Sequence, residues 1–373
     1  MLTLSCRPSP SLVILQRADH QVANTILKKI NELNAQGKYA EAIPLAKQLL
    51  EVVEKEKGPD HAGVAACLDV LGGLYTSFGD YGKAEPILKR ALENHEKLEG
   101  KENPNVATSL GLLAKVYIEL GDYSSALPLA NRALQIREKM LGSDHFMVST
   151  SLNTLGEIYL DLHEFEKAEP LFLRAIAIRK KHENPHGLVI SLNNLSRLYY
   201  ETHDYDAAEP LAVVALDLGT ASLGEDHPHL AETLNVLGRI YAAAGKYEKS
   251  FDCLKRGQII QLQSIDNMKG FTSEKQKLKY LAKMEEDLHV FLTLIANKLT
   301  QSYEAVKEGL NIVLKRKGIV LEVQKQFQRA LVAGDQRALE IFQRLSETRA
   351  ILSKMAFSGP GGRGFANLQG KNQ

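Results

Sequence analysis

Few residues in this sequence have both the type and the spacing to do chemistry. Cys6, Cys67 and Cys253 stand far apart, without metal-ligand spacing or a motif for an activated thiolate. They read as packed or surface thiols suited to a reducing compartment. The stretch Gly359-Pro-Gly-Gly-Arg-Gly is Gly-rich, but no strand precedes it and no helix follows. It also lacks the Lys-Ser/Thr of a phosphate loop. Glu285-Glu286 falls in a charged stretch and reads as a solvated helix face. Lys315-Arg316-Lys317 reads as the cationic end of a helix, or as a contact for an acidic partner. The turn histidines read as capping or solvated groups, not metal ligands. Nothing places a nucleophile beside a base, so neither a catalytic residue nor a cofactor nor a metal is expected, and the chain reads as no enzyme.

What remains is polar recognition. One recurring position reads Asp69, Gly111, Asn153, Asn193, Asn235, and one helical turn later the sequence reads Gly73, Lys115, Glu157, Arg197, Arg239. An Asn side chain can bond both the N–H and the C=O of an extended peptide, and Arg can hold a carboxylate with two bonds. The candidate partner-binding residues are therefore Lys115, Asn153, Asn193, Arg197, Asn235 and Arg239, and the expected partner is a protein or peptide segment. The alternative is that these are ordinary solvated positions between packing columns.

The elements that must position them are helical hairpins. From Asp144 to Lys181, apolar residues fall three and four apart in two runs: Val148, Leu152, Leu155, Ile158 and Tyr159, then Phe165, Ala168, Leu171, Phe172, Ala175 and Ile176. The turn between them, His163-Glu164-Phe165, recurs as Gly37-Lys38-Tyr39, Gly79-Asp80-Tyr81, Gly121-Asp122-Tyr123, His203-Asp204-Tyr205 and Gly245-Lys246-Tyr247. The steps are 42, 42, 42, 40 and 42 residues. A fixed period of this size marks a solenoid, because one hairpin cannot bury its apolar face alone. Six repeats are expected over 19–265.

Aligned columns support this. Leu68, Leu110, Leu152, Leu192 and Leu234 form one; Gly72, Ala114, Gly156, Ser196 and Gly238 form a small-residue one; Tyr75, Tyr117, Tyr159, Tyr199 and Tyr241 follow three residues later. Second helices carry Ala42, Ala84, Ala126, Ala168 and Ala208, then Pro44, Pro86, Pro128, Pro170 and Pro210 two residues on. Asp60, Asn103, Asp144, Asn184 and Asp226 are placed to cap first helices, with Pro104, Pro185 and Pro228 near the first helical position.

Charge sets further bounds. Lys plus Arg number 46 against 45 Asp plus Glu, a net charge of +1, which argues against a general nucleic-acid or anionic-membrane binder. No apolar run approaches the ~18 residues of a membrane helix. The apolar patch Leu12–Leu15 is too short for a signal peptide, so residues 1–18 read as a disordered lead-in and the cytoplasm is the expected location.

The columns resemble the tetratricopeptide repeat, and the 42-residue period with His227-Pro228 and Ser191-Leu-Asn-Asn-Leu resembles its kinesin-light-chain type. The resemblance implies an all-α, right-handed superhelical solenoid whose first helices line a concave face. It also implies that groove Asn and basic residues bind peptide, making the chain a non-catalytic interaction scaffold.

Past Gln263 the period stops. Ser273 and Gln276 are spaced as a capping box for a helix to about Leu299. Further helices are expected at Tyr303 to Lys315, at Ile319 to Leu331 after a break at Gly318, and at Gln336 to Ala356. Together they make a helical cap or connector over 270–357. Gly270-Phe-Thr-Ser-Glu, Leu278-Lys-Tyr-Leu and Leu314-Lys-Arg-Lys-Gly-Ile-Val-Leu resemble the connector of bacterial proteins that join such repeats to a caspase-like CHAT protease domain. Residues 358–373 are Gly-rich and polar and are expected to be disordered where that domain would begin. The alternative function is thus a recognition arm of a CHAT-type peptidase system without its protease domain.

Overall fold

The computed structural model describes residues 21–266 and 284–332. Among these there are helices and no strand. Six hairpins follow one another: α1 (Gln21–Ala35) with α2 (Tyr39–Lys57), α3 (Ala62–Ser77) with α4 (Tyr81–Glu99), and α5 (Pro104–Glu119) with α6 (Tyr123–Leu141). Then come α7 (Phe146–Asp161) with α8 (Phe165–Lys181), α9 (Pro185–Glu201) with α10 (Tyr205–Leu223), and α11 (Pro228–Ala243) with α12 (Tyr247–Asp266). Beyond them lie α13 (Glu285–Lys298) and α14 (Tyr303–Val332). The chain divides into units 1–312 and 313–373, with α14 running from the first into the second. No described helix is long and apolar enough to cross a membrane.

Each hairpin closes on the same backbone device. The N–H of Lys38, Asp80, Asp122, Glu164, Asp204 and Lys246 donates to the carbonyl five residues back at 2.8–2.9 Å, which is Leu33 in the first repeat and the column tyrosine in the others. This is the Schellman arrangement, and it needs a left-handed residue just before the donor. Gly37, Gly79, Gly121 and Gly245 supply it at φ 68–81°; His163 (58°) and His203 (63°) do so at a steric cost. Between repeats, Gly58, Gly100, Gly142 and Gly224 sit at φ 85–88° and ψ 153–161°, a region essentially reserved for glycine. The 40-residue repeat differs here. Its second helix is shorter, ends at Lys181, and turns through Glu183 at φ 48°.

The caps depart from expectation at three of five first helices. Asn103 and Asn184 accept from Asn105 N (2.8 Å) and Gly187 N (2.9 Å) as expected. At α3, α7 and α11 the cap is not the Asp but the next residue: His61, His145 and His227 accept through Nδ1 from the N–H two residues on, at 3.0–3.2 Å. Those helices start one residue later than the Asp positions require. Asp60 and Asp144 instead reach Lys97 (3.3 Å) and Lys181 (2.6 Å) near the end of the second helix of the same repeat.

Packing follows the columns. Ala42, Ala84, Ala126, Ala168, Ala208 and Ser250 are fully buried. Opposite them the small column lets the hairpin close. A Cβ on Gly72 would lie 2.5 Å from the Leu88 side chain, and one on Gly156 would strike the Phe172 ring. Where serine replaces glycine or alanine, its hydroxyl is consumed: Ser196 donates to Ala208 O at 2.9 Å, and Ser250 to Gly238 O at 2.7 Å. The second helices run unbroken through Pro44, Pro86, Pro128, Pro170 and Pro210.

Successive first helices from α3 to α11 touch one another, whereas no second helix makes comparable contact with the next. The first helices therefore form the inner layer. That layer winds until the sixth repeat meets the first: a Cβ on Gly37 would lie 2.5 Å from Pro228 Cδ, and His227 hydrogen-bonds the backbone of Ala35.

The helix expected to break at Gly318 does not. α14 is continuous from Tyr303 to Val332, so Lys315-Arg316-Lys317 lies within a helix and not at its end. Gly costs a helix interior only about 1 kcal/mol, too little to stop one by itself. The expected capping box, the Gln336–Ala356 helix, the lead-in, the Gly-rich tail and most of the connector lie outside the described residues.

Candidate partner-binding face

The candidate residues occupy the inner helices but separate into two layers. Asn153, Asn193 and Asn235 are 3–5% exposed and turn toward the following element. Asn153 donates to Ser149 O (2.8 Å) and Ser191 Oγ (2.9 Å), Asn193 to Thr233 Oγ1 (2.7 Å), and Asn235 to Asp287 of α13 (2.6 Å). The amide oxygens of Asn193 and Asn235 are buried without a hydrogen-bond partner. These are not solvated positions. The amide N–H groups of Asn153 and Asn193 tie their helices to the next first helix, and that of Asn235 ties α11 to α13.

The charged column lies further out. The Lys115 side chain is 49% exposed and 3.9 Å from Glu157. Arg197, 41% exposed, donates to Asp161 at 2.6 Å, one repeat back. Arg239 is more enclosed and grips Glu286 (2.9 Å) and Asp287 (3.0 Å) of α13. Asp287 also accepts from Gln261 at 2.9 Å. Thus α13 covers the sixth repeat with carboxylates, and Glu286, expected on a solvated face, is 76% exposed and also pairs with Arg239.

Beneath both layers runs a polar seam that sequence reading missed. In register on the second helices stand Val53, His95, Arg137, Arg179, Gly219 and Gln261. His95 is fully buried and bonds Asp69 through Nε2 (3.1 Å) and Glu99 through Nδ1 (2.8 Å). Burial opposes its charge, but those two carboxylates outweigh it and hold the imidazole up at about 9. Asp69 also accepts from Ser109 at 2.6 Å; burial raises its carboxyl against these hydrogen bonds. Arg179 is satisfied by Ser149 Oγ (3.0 Å), Ser191 Oγ (2.9 Å) and the carbonyl of Gly187. Arg137 has one bond, to Ser151 Oγ at 2.7 Å, and its Nε has no partner. Burial pulls both guanidinium groups down to about 10. A signal was present: a basic residue, His95, Arg137 and then Arg179, stands at this position in three successive repeats.

The two described thiols carry no activation. Burial pushes Cys67 up to about 12, with Glu54 adding to the shift, and Cys253 up to about 11, with Asp252 adding. A thiol held that high is not a nucleophile at neutral pH.

No match was found among curated proteins. Among solved structures, BtubC (BKLC) from P. vanneervenii is similar at 24% identity, covering 68% of this chain and 94% of that one, with a TM-score of 0.46. A Podosopora anserina protein with nearly identical TPR-like repeats, named for the kinesin light chain, shows 23% identity over 53% of this chain and 94% of that one, at a TM-score of 0.41. A Rap protein complexed with competence and sporulation factor shows 14% identity over 90% and 99%, at 0.48. The tetratricopeptide repeat family itself matches at residues 21–97, 71–139, 105–181, 146–218 and 187–258. With overlapping matches running through all six hairpins, the chain belongs to the tetratricopeptide repeat family.

Proposed function

We propose that this chain is a protein-interaction scaffold that receives an extended or helical segment of another polypeptide along the face of its first helices. The observation that carries the reading is the outer charged column. Lys115 and Arg197 keep 49% and 41% of their side chains exposed on the inner layer, each paired with a carboxylate of an adjacent repeat. A surface ion pair of this kind is worth about 1 kcal/mol or less, so a ligand carboxylate can compete for either cation. Asn153, Asn193 and Asn235 form the floor: their amides hold the repeat spacing that presents the charges in register. Rigid presentation lowers the ordering cost of binding. The high-lying thiols favour this reading over thiol chemistry.

The test is a random peptide library panned against the whole chain. Selected peptides should bind the Lys115→Ala/Arg197→Ala variant at least about tenfold more weakly, since a hydrogen bond to a charged group contributes roughly 1.5–3 kcal/mol. Peptides that bind both proteins equally, or a library that yields no binder, would refute the proposal.

A further inference from the structure

We infer that the first and sixth repeats form a latch, built from the α1–α2 turn and the first residues of α11, and that protonation of His227 opens it. The two parts belong to opposite ends of the stack, and no contact of the size made between neighbouring repeats joins them. What joins them is small. Pro228 packs so closely on the turn that a Cβ on Gly37 would lie 2.5 Å from its Cδ, and His227 donates to the backbone of Ala35. Ala35 ends α1, so its carbonyl is among those a helix leaves unsatisfied. A joint of this size can part while every hairpin keeps its own neighbours, because each repeat is stabilised by itself and by the repeats beside it.

One imidazole serves both sides of the joint. Nδ1 of His227 accepts from the His229 N–H at 3.2 Å and so caps α11. Nε2 faces the turn, 3.7 Å from the Cβ position of Gly37. Nδ1 must therefore hold a lone pair and Nε2 the proton, so the ring is cap and latch together only when neutral. A second proton would set Nδ1–H against the His229 N–H. The helix then loses its cap at Pro228, the residue that touches Gly37.

The surroundings oppose that proton. His229 stacks on His227 with ring centroids 5.1 Å apart, and His186 of α9 lies 5.5 Å from His229. The charge of His186 acts against that of His227, and Arg179 of α8 acts against His186 in turn. From the first repeat come Lys38, beside Gly37, and Glu32, which pairs with Lys29 at 3.4 Å. Glu225, 3.8 Å from Arg256 of α12, and Asp226 precede His227, and Asp217 lies on the adjacent α10; all three are exposed. Burial first, and then His186, push His227 down to about 4 despite its bond to Ala35. A freed imidazole titrates near 6.5, so opening takes up a proton. Closure is fully favoured above pH 6.5 and weakens as the pH falls toward 4. From pH 7.5 to pH 5 the closed-to-open ratio should drop by up to about thirtyfold. The inference does not depend on what the inner face binds.

The experiment measures the distance between spin labels on the whole chain at pH 7.5 and pH 5, with circular dichroism of the same samples. Labels go on Lys28→Cys of α1 and Ala243→Cys of α11, both exposed positions. Cys6 and Cys253 are replaced by Ser, and Cys67, 1% exposed, is left in place. The expected result is one distance at pH 7.5 and a longer population at pH 5, with helicity unchanged. His227→Asn keeps a capping side chain that takes up no proton, so its distance should be the same at both pH values. Gly37→Ala should show the longer population already at pH 7.5. Gly121→Ala imposes the same left-handed strain, at φ 74° against 68°, with nothing within 4 Å of its Cβ, and should not. An unchanged wild-type distance at pH 5, a lengthening that comes with loss of helicity, or a lengthening that persists in His227→Asn overturns the inference. So does equal behaviour of the two alanine variants. The wild-type titration and His227→Asn decide the matter even where Gly37→Ala does not fold.

Discussion

Mutation of His95 to Gln should flatten the pH dependence of stability above neutrality. His95 has no exposed surface and bridges Asp69 on α3 and Glu99 on α4. Burial disfavours its charge, yet the two carboxylates hold it protonated up to about 9 in the folded chain, against an ordinary 6.5. The sign follows from proton counting. Below pH 6.5 the imidazole carries its proton folded and unfolded, and the stabilisation is fully present. Between 6.5 and about 9 only the folded chain holds the proton, so raising the pH favours unfolding by about 1.36 kcal/mol per pH unit. Above 9 neither state holds it, and the contribution is gone. Across the window the loss is about 3 kcal/mol, an order-of-magnitude figure. Urea midpoints of wild type and His95→Gln, taken from pH 6 to pH 10, measure it. The wild-type curve should fall toward the variant's as the pH rises, because Gln stays neutral throughout. A histidine C2–H titration in the folded state gives the same quantity directly. Parallel curves over this range, or an imidazole titrating near 6.5, would refute the bridging account.

Two further substitutions separate packing from backbone conformation. Gly156→Ala should lower stability by roughly 1–3 kcal/mol, because the added methyl strikes the Phe172 ring, with Cδ1 and Cζ at 2.8 Å. Gly73→Ala, equally helical but with its nearest neighbour at 3.6 Å, should raise it by up to about 1 kcal/mol, and thermal midpoints of the two compare them directly. His163→Gly should also raise the thermal midpoint, by about 1 kcal/mol of stability, by relieving a left-handed backbone at φ 58°.

Much of the fold was legible because its determinants are local. The hairpin turns are set by a residue that tolerates positive φ followed by a donor to the carbonyl five residues back, and Gly79-Asp80-Tyr81 announces that in three letters. Even His163 and His203, poor left-handed residues, were identifiable as turns by their register. The period then identified the solenoid, since hairpins with one apolar face have nowhere to bury it but against copies of themselves. The N-caps were misread at α3, α7 and α11, where Asp and His are adjacent and both can cap. Choosing between them required the helix start to within one residue, which periodicity does not provide.

The candidate site divides along the same line. Its column spacing was readable, and so was the chemistry of Asn, Lys and Arg, because side-chain type and helical phase are properties of the chain itself. Which way each side chain faces was decided by tertiary packing. Asn153 meets Ser191, Asn193 meets Thr233, and Asn235 meets Asp287, partners 38, 40 and 52 residues away that no local pattern couples. The same packing buried Arg137 and left Lys115 at the surface, although both are basic residues on amphipathic helices. Sequence determines what each repeat is. The neighbour stacked against it determines which polar groups are consumed in holding the stack together and which are left for a partner.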